Sequence, residues 1–246
     1  MSDQEILDYD DLGAALREGR SLHPARSYRI EFGLEGLDFR AVHVPEAVPT
    51  GGQILHAASL EATDDISLLA ILSNGEFEEV LLDQPFDLHG RGTKHLVAFR
   101  TDRLFKLTLN GHLVQWGNPE IRGSVLYQLG NAGDHEAVFI EAPSGNSLIE
   151  RDAVIDLAAP GIEHFITAPR TFEIIVNSRP RIVTGRKVTF EEVVQMAFPG
   201  AHASNVIFST TYRHVASIPH HGELAAGGFV EVKNGSVFNV TRTVQS

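Results

Sequence analysis

Phe86-Asp-Leu88 followed by Gly92-Thr-Lys-His-Leu-Val97 is written twice more in this chain. It returns as Ile155-Asp-Leu157 with Gly161-Ile-Glu-His-Phe-Ile166, aligned without a gap 69 positions on. It returns again as Val230-Glu-Val232 with Gly235-Ser-Val-Phe-Asn-Val240, one residue shorter before the glycine. An apolar-acid-apolar triplet alone carries little information. Three copies at the same place within three similar segments make an internal repeat, and a repeat decides the architecture before any single element does.

Upstream of each copy lies the same order of elements. Each segment opens with an alternating apolar run, at 28–32, 105–109 and 172–176, the pattern of a strand with one buried face. A turn follows at 33–36, 110–111 and 177–180, the second being Asn110-Gly111, a dipeptide that marks tight hairpins. A second strand returns over 39–44, 113–116 and 181–183, and helical stretches come next at 52–58, 124–129 and 190–197. The third of these is the clearest. Phe190, Val193, Val194 and Ala197 fall at i, i+3, i+4 and i+7, with Thr189 as the natural N-cap. Ser124 is the candidate cap of the second, with Gly130 past its end, and Gly51-Gly52 reads as a turn ahead of the first. A further strand, at 66–72, 137–140 and 205–209, precedes each signature.

Strand, hairpin, strand, helix, strand, short strand, strand is the order of the β-grasp fold. The expected class is therefore α+β: three tandem β-grasp domains at 27–103, 104–169 and 170–246, each a mixed sheet crossed by one helix. Units of about 65–75 residues can close one small core apiece. Residues 1–26 are expected as an N-terminal extension, flexible or a short helix over 10–19, in which nothing demands a fold.

Composition removes several function classes. A net charge of −12 argues against nucleic acid and anionic membranes as partners, because phosphate binding needs clustered Lys and Arg. With no cysteine there are no disulfides, thiolate nucleophiles or cysteine-based zinc sites. No stretch approaches the roughly 18 apolar residues of a membrane helix. The acidic segment 1–11 also lacks a signal-peptide pattern, so a cytoplasmic protein is expected. Twelve histidines invite a metal reading, but neither His-x-His nor His-Glu-x-x-His occurs. His220-His221 are adjacent in a polar loop where their side chains diverge, with His202 and His214 nearby, and no metal or other cofactor is expected. His95 and His164 fall at equivalent repeat positions, which points to a structural role on a strand. There is no Gly-x-Ser-x-Gly elbow and no phosphate loop. Asp64-Asp65 and Glu78-Glu79 read as solvated acid pairs, and the single tryptophan, Trp116, as a core or interface anchor. The residues give no catalytic constellation, so the chain is not expected to be an enzyme.

Three stretches of the third unit, Thr210-Thr-Tyr-Arg-His214, Pro219 with Gly222-Glu-Leu224, and Val237-Phe-Asn-Val-Thr-Arg-Thr243, resemble the bacterial multiubiquitin-domain proteins. The resemblance extends over about residues 27 to 246. It implies ubiquitin-like units and a protein modifier of a bacterial ubiquitination-like pathway, with antiphage defence among its implied roles. Its implied partners are a ubiquitin-activating-like enzyme, a ubiquitin-conjugating-like enzyme, a processing peptidase and target proteins. By analogy with ubiquitin, whose terminal carboxylate is the reactive group, Thr243, Val244, Gln245 and Ser246 are the expected conjugation tail. The tail departs from the Leu-Arg-Gly-Gly form, since no Gly-Gly closes it. Three readings stand: a partner enzyme with a wider channel, a chain that needs trimming, or loss of conjugation. The internal Leu224-Ala-Ala-Gly-Gly228 is read as a tight turn before the final strand, because cleavage there would delete that strand. Where the first two units carry Asn74-Gly75 and Ser144-Gly145, the third carries a longer excursion with Tyr212-Arg213-His214. Tyr212 and Arg213, together with Arg242, are the expected docking residues for a partner enzyme. The chain has four lysines against sixteen arginines, which would suit a modifier that must not join to itself but is better explained by a genomic Arg-for-Lys bias. The rival function is a non-conjugated β-grasp binding scaffold.

Overall fold

A computed structural model describes residues 6–63, 65–159, 161, 163–200 and 205–244. The chain packs as two compact units, one of Met1–Asn131 with Val138–Thr167, the other of Ala132–Ala137 with Ala168–Ser246. The class is α+β, with mixed sheets and four helices among the described residues. None of these helices is long and apolar enough to cross a membrane.

The first sheet contains β1 (Asp10–Asp11), β2 (Tyr28–Leu34), β3 (Arg40–Val44), β4 (Ser67–Leu72), β5 (Phe77–Glu79) and β6 (Thr93–Phe99), with helices α1 (Leu12–Glu18) and α2 (Gly51–Ala57). Its order is β1-β2-β6-β4-β5, with β3 on the other edge of β2. The β2–β3 hairpin is antiparallel, while β6 lies parallel to β2 and antiparallel to β4. The second sheet repeats that plan as β11-β10-β13-β7-β8. Its strands are β7 (Phe105–Leu109), β8 (His112–Trp116), β10 (Glu136–Ile140), β11 (Ser147–Ile149) and β13 (Glu163–Pro169). The short strands β9 (Glu120–Arg122) and β12 (Val154–Asp156) pair beside it, and α3 is Gly123–Leu129. The third, order β15-β14-β20-β17-β18, is built from β14 (Thr171–Val176), β15 (Arg179–Thr184), β17 (Val206–Arg213), β18 (His221–Leu224) and β20 (Ser236–Val244). Here β16 (Lys187–Thr189) pairs with β19 (Phe229–Glu231), and α4 is Phe190–Ala197. In each sheet the first strand of the hairpin (β2, β7, β14) and the last strand (β6, β13, β20) run parallel side by side in the middle.

The apolar alternation explains the cores. Ile30, Phe32, Leu68 and Leu96 turn toward Ile54 and Leu55 of α2. Ile174, Val176, Phe238 and Val240 turn toward Val193 and Val194 of α4. Helix starts follow two rules. At α4 the Thr189 hydroxyl accepts from the Glu192 N–H at 3.3 Å and the Glu192 carboxylate accepts from the Thr189 N–H at 2.8 Å, a capping box. Glu192 thus has a job that its place on an exposed helix face does not reveal.

At α2 and α3 a returning loop also supplies main-chain acceptors, at α2 in addition to a capping box. Gly51-Gly52 is the first turn of α2 rather than a turn before it. Thr50 caps it with Gln53, and the Leu81 and Leu82 carbonyls accept from the Gly51 and Gly52 N–H groups at 3.1 and 2.8 Å. A Cβ on Gly51 would lie 2.6 Å from the Leu81 oxygen, so only glycine admits the loop. Ser124 is not the cap of α3. That position is Arg122, which makes no side-chain cap, and the Ala153 and Arg151 carbonyls accept from Gly123 and Ser124 at 2.8 and 2.7 Å.

The N-terminal segment holds a short helix where one was expected over 10–19, and beyond that expectation it is packed into the first sheet and core. β1 adds in parallel to β2, with Asp10 opposite Tyr28, and Leu12 of α1 is buried in the first core. Asp10 is held by two Arg20 contacts at 2.8 and 2.9 Å and by the His23 N–H at 2.7 Å. The Arg20 guanidinium keeps that carboxyl far below the usual carboxylate range. Leu12, Ala15 and Leu16 at i, i+3 and i+4 give the helix its apolar side, and the Asp10–Arg20 ion pair with the Asp11 cap fixes the strand and turn ahead of it.

Candidate functional site

The expected tail is partly inside the sheet. β20 is paired with β17 from Val237 to its end, with Phe208 opposite Arg242, Ile207 opposite Thr243 and Val206 opposite Val244. Thr243 and Val244 are therefore strand residues, a correction to a tail that begins at Thr243. The cause is the length of β17, whose eight residues carry the ladder past the core. Gln245 and Ser246 lie outside the described residues.

The three expected docking residues do not share one surface. Tyr212 pairs with Phe238 and packs partly buried on the third core. Arg213 is its neighbour on the strand and so faces the opposite side of the sheet, exposed and opposite Val237. Arg242 stands on the core side, opposite Phe208 and four residues along β20 from Phe238. The alternation that marks the strand also puts the adjacent pair Tyr212 and Arg213 on opposite faces. The Gly227-Gly228 turn leads into β19, not into the final strand. The Gly227 N–H donates to the Glu191 carboxylate at 2.8 Å and the Gly228 carbonyl accepts from Phe190 at 3.0 Å, closing the start of α4.

The outer face of the first sheet is where sequence reasoning missed most. Leu69, Ile71, Val97 and Phe99 point away from α2, yet all are buried, with Leu69, Val97 and Phe99 at 0% exposure. The second sheet's segment covers them within the first compact unit. Trp116 meets Phe99 edge-on at 4.8 Å and donates its indole N–H to the Glu120 carbonyl at 3.2 Å. A side chain at Gly117 would run into Phe99, its Cβ 2.2 Å from Cγ. Gln128 donates to the Leu37 carbonyl at 3.3 Å. Trp116 is thus the interface anchor. An alternating strand such as β6 with both faces apolar (Leu96 and Ala98 inward, Val97 and Phe99 outward) was the available signal.

His95 sits on this outer face with its ring stacked on Phe39, centroids 4.1 Å apart and planes 12° from parallel. Its Nδ1 is buried and makes no hydrogen bond among the described residues. Burial, and then the charge of Lys94, lowers the imidazole from 6.5 to about 4. Between those values only the unfolded chain takes up the proton, so stability falls as pH drops from neutrality toward 4 and levels off below. With partial solvent access the loss is on the order of 1–2 kcal/mol. The expected result is that His95→Phe, which keeps the stack, removes that part of the pH dependence of the urea midpoint. An unchanged pH profile would contradict it. His164, at the equivalent register position, is exposed and bonds Thr108 Oγ1 through Nδ1 at 2.7 Å.

Among the described residues no group of three His, Asp or Glu side chains is placed to hold a metal ion; His202 lies outside them. A family model described as Multiubiquitin matches residues 36–101, 105–170 and 172–244. No curated protein matches the chain.

Proposed function

The chain belongs to the multiubiquitin family, and from that premise we propose that it is a ubiquitin-like protein modifier, activated through its C-terminal carboxylate and transferred to targets. The observation that carries the reading is the strand plan repeated three times. A hairpin, a helix after it and a last strand laid parallel beside the first are in keeping with a β-grasp unit. On this reading the domains are 27–103, 104–169 and 170–246, and the chain brings docking surfaces and a reactive end rather than a catalytic site. The partners are an activating-like enzyme, a conjugating-like enzyme, a processing peptidase and target proteins in the cytoplasm, not nucleic acid or membrane.

In the proposed sequence the terminal carboxylate oxygen attacks the α-phosphorus of ATP on the activating enzyme and pyrophosphate leaves. A thiol of an enzyme partner then displaces AMP, and a target amine or hydroxyl displaces the thiol. What the chain must contribute is reach. The exposed side chains of Thr241 to Val244 keep the end of β20 clear of the third core. The test is incubation with the activating-like enzyme and ATP, read as pyrophosphate exchange and as a thioester adduct by intact mass. Deleting Gln245 and Ser246, which leaves the β17–β20 ladder intact, is expected to abolish the adduct while the urea midpoint stays unchanged. An adduct that persists in the truncated chain would place the reactive group elsewhere. One observation favours the second reading, a non-conjugated scaffold: Thr243 and Val244 are tied into the ladder rather than free to thread into an enzyme. That reading expects partner binding without exchange or adduct.

A further inference from the structure

Within the first compact unit a cleft of about 550 Å³ lies between the outer face of the first sheet and the second sheet's turn and helix end. That is the size of pockets that take small molecules. Its walls combine apolar surface, including Phe39 and Ile71, with Lys94, His95, His112 and Asn131. None of the residues lining it is acidic, in a chain with 32 acids against 20 Lys and Arg. Glu76, next in the chain to the lining residue Gly75, has its carboxylate occupied by the Asn74 amide at 2.8 Å.

The backbone aims a cation, Lys94, into this space beside the neutral ring of His95. Ile71 pairs with His95 but Leu72 pairs with Thr93, so Lys94 is an extra residue in a bulge. A bulge re-aims side chains, and here Lys94 and His95, neighbours in sequence, both line the one cleft. The third unit's strand pairs through without such a shift, and Val237, not Phe238, stands where His95 does. Among the described residues the side chains of Lys94, His112 and Asn131 make no hydrogen bond or ion pair. Donors without acceptors, set beside an apolar floor and with no carboxylate in the wall, are complementary to an anion that carries an apolar body.

We propose that this cleft binds a small organic anion, with its carboxylate or phosphate head at Lys94 and His112 and its apolar body on Phe39 and Ile71. The inference is independent of the modifier reading, since it concerns the first two sheets and not the end of the chain.

The experiment is titration of the full chain, followed by amide NMR, with phenyl phosphate, benzoate, inorganic phosphate and benzyl alcohol. Phenyl phosphate or benzoate is expected to give saturable shifts confined to residues around Lys94, His112 and Asn131, and comparison of the two distinguishes the head group. Inorganic phosphate, lacking the body, and benzyl alcohol, lacking the charge, are expected to bind at least about tenfold more weakly. Lys94→Gln, an exposed position whose change should leave the rest of the spectrum in place, is expected to weaken the better probe by about tenfold. His112→Gln, on a different strand, should do the same. The proposal is overturned by the absence of saturable binding, by shifts centred elsewhere, by inorganic phosphate binding as tightly as phenyl phosphate, or by affinity unchanged in both variants.

Discussion

Phe99→Ala is expected to destabilise the first compact unit by about 3–5 kcal/mol, the usual cost of truncating a fully buried aromatic. The size of the effect is informative because of where the residue sits. Phe99 is on the face of β6 turned away from α2, and a sheet with one helix would leave that face in water. Here it is 0% exposed, with Trp116 against its ring and Gly117 too close to admit a side chain. Removing the ring leaves a cavity lined by both sheets, and the indole loses its edge-to-face partner. Counting from the parallel pairing of Phe32 with Leu96 and of Val176 with Phe238, the third sheet's equivalent of Phe99 is Thr241, which is exposed. Thr241→Ala should cost under about 0.5 kcal/mol. Urea denaturation of the two variants makes the comparison. A loss below about 1 kcal/mol for Phe99→Ala would mean the outer face is not the buried interface described.

Ile174→Ala carries the second large effect, about 2–4 kcal/mol from the other compact unit. Ile174 is 0% exposed in the middle of β14, flanked by β15 and β20 on its two edges and packed with Phe238 and Val240 beneath α4. Its control is a residue of the same type in the same hairpin. Ile182 pairs with Glu173, one position along, and so faces the other side of the sheet at 65% exposure. Ile182→Ala is expected to be neutral within about 0.5 kcal/mol. Equal losses at the two isoleucines would mean that the burial pattern assigned to the third sheet is wrong.

Much of the fold was legible because one face of each strand and helix is apolar at the right period. Asn110-Gly111 marked the β7–β8 hairpin, and both residues take positive φ there, 53° and 81°. Thr189 and the spacing from Phe190 to Ala197 marked α4 together with its cap. What stayed hidden rests on contacts distant in sequence. Gly51 looks like a poor helix start until the Leu81 carbonyl is beside it, and the outer face of β6 looks like surplus hydrophobicity until Trp116 arrives. The bulge at Lys94 leaves no mark in the residues themselves: the signature glycine and the histidine align in the first two units, while the third drops a residue and keeps its core by changing register.

The facing of the proposed docking residues was the least legible part. Tyr212 and Arg213 are the residue types that anchor interfaces, but type says nothing about facing. Tyr212 lies across Gly222, whose missing side chain leaves room for the phenol, 3.0 Å from where a Cβ would be. The tail was misjudged by two residues for a similar reason, since the reach of β20 is set by its partner β17 and not by its own composition.

Mass spectrometry of the chain recovered from its own cells tests the modifier reading most directly. Peptides are expected in which the C-terminal carbonyl is joined to an amine or hydroxyl of another protein, lost when Gln245 and Ser246 are deleted. Recovery of the chain only with a free C-terminal carboxylate, under conditions where its partner enzymes are present and active, would contradict it.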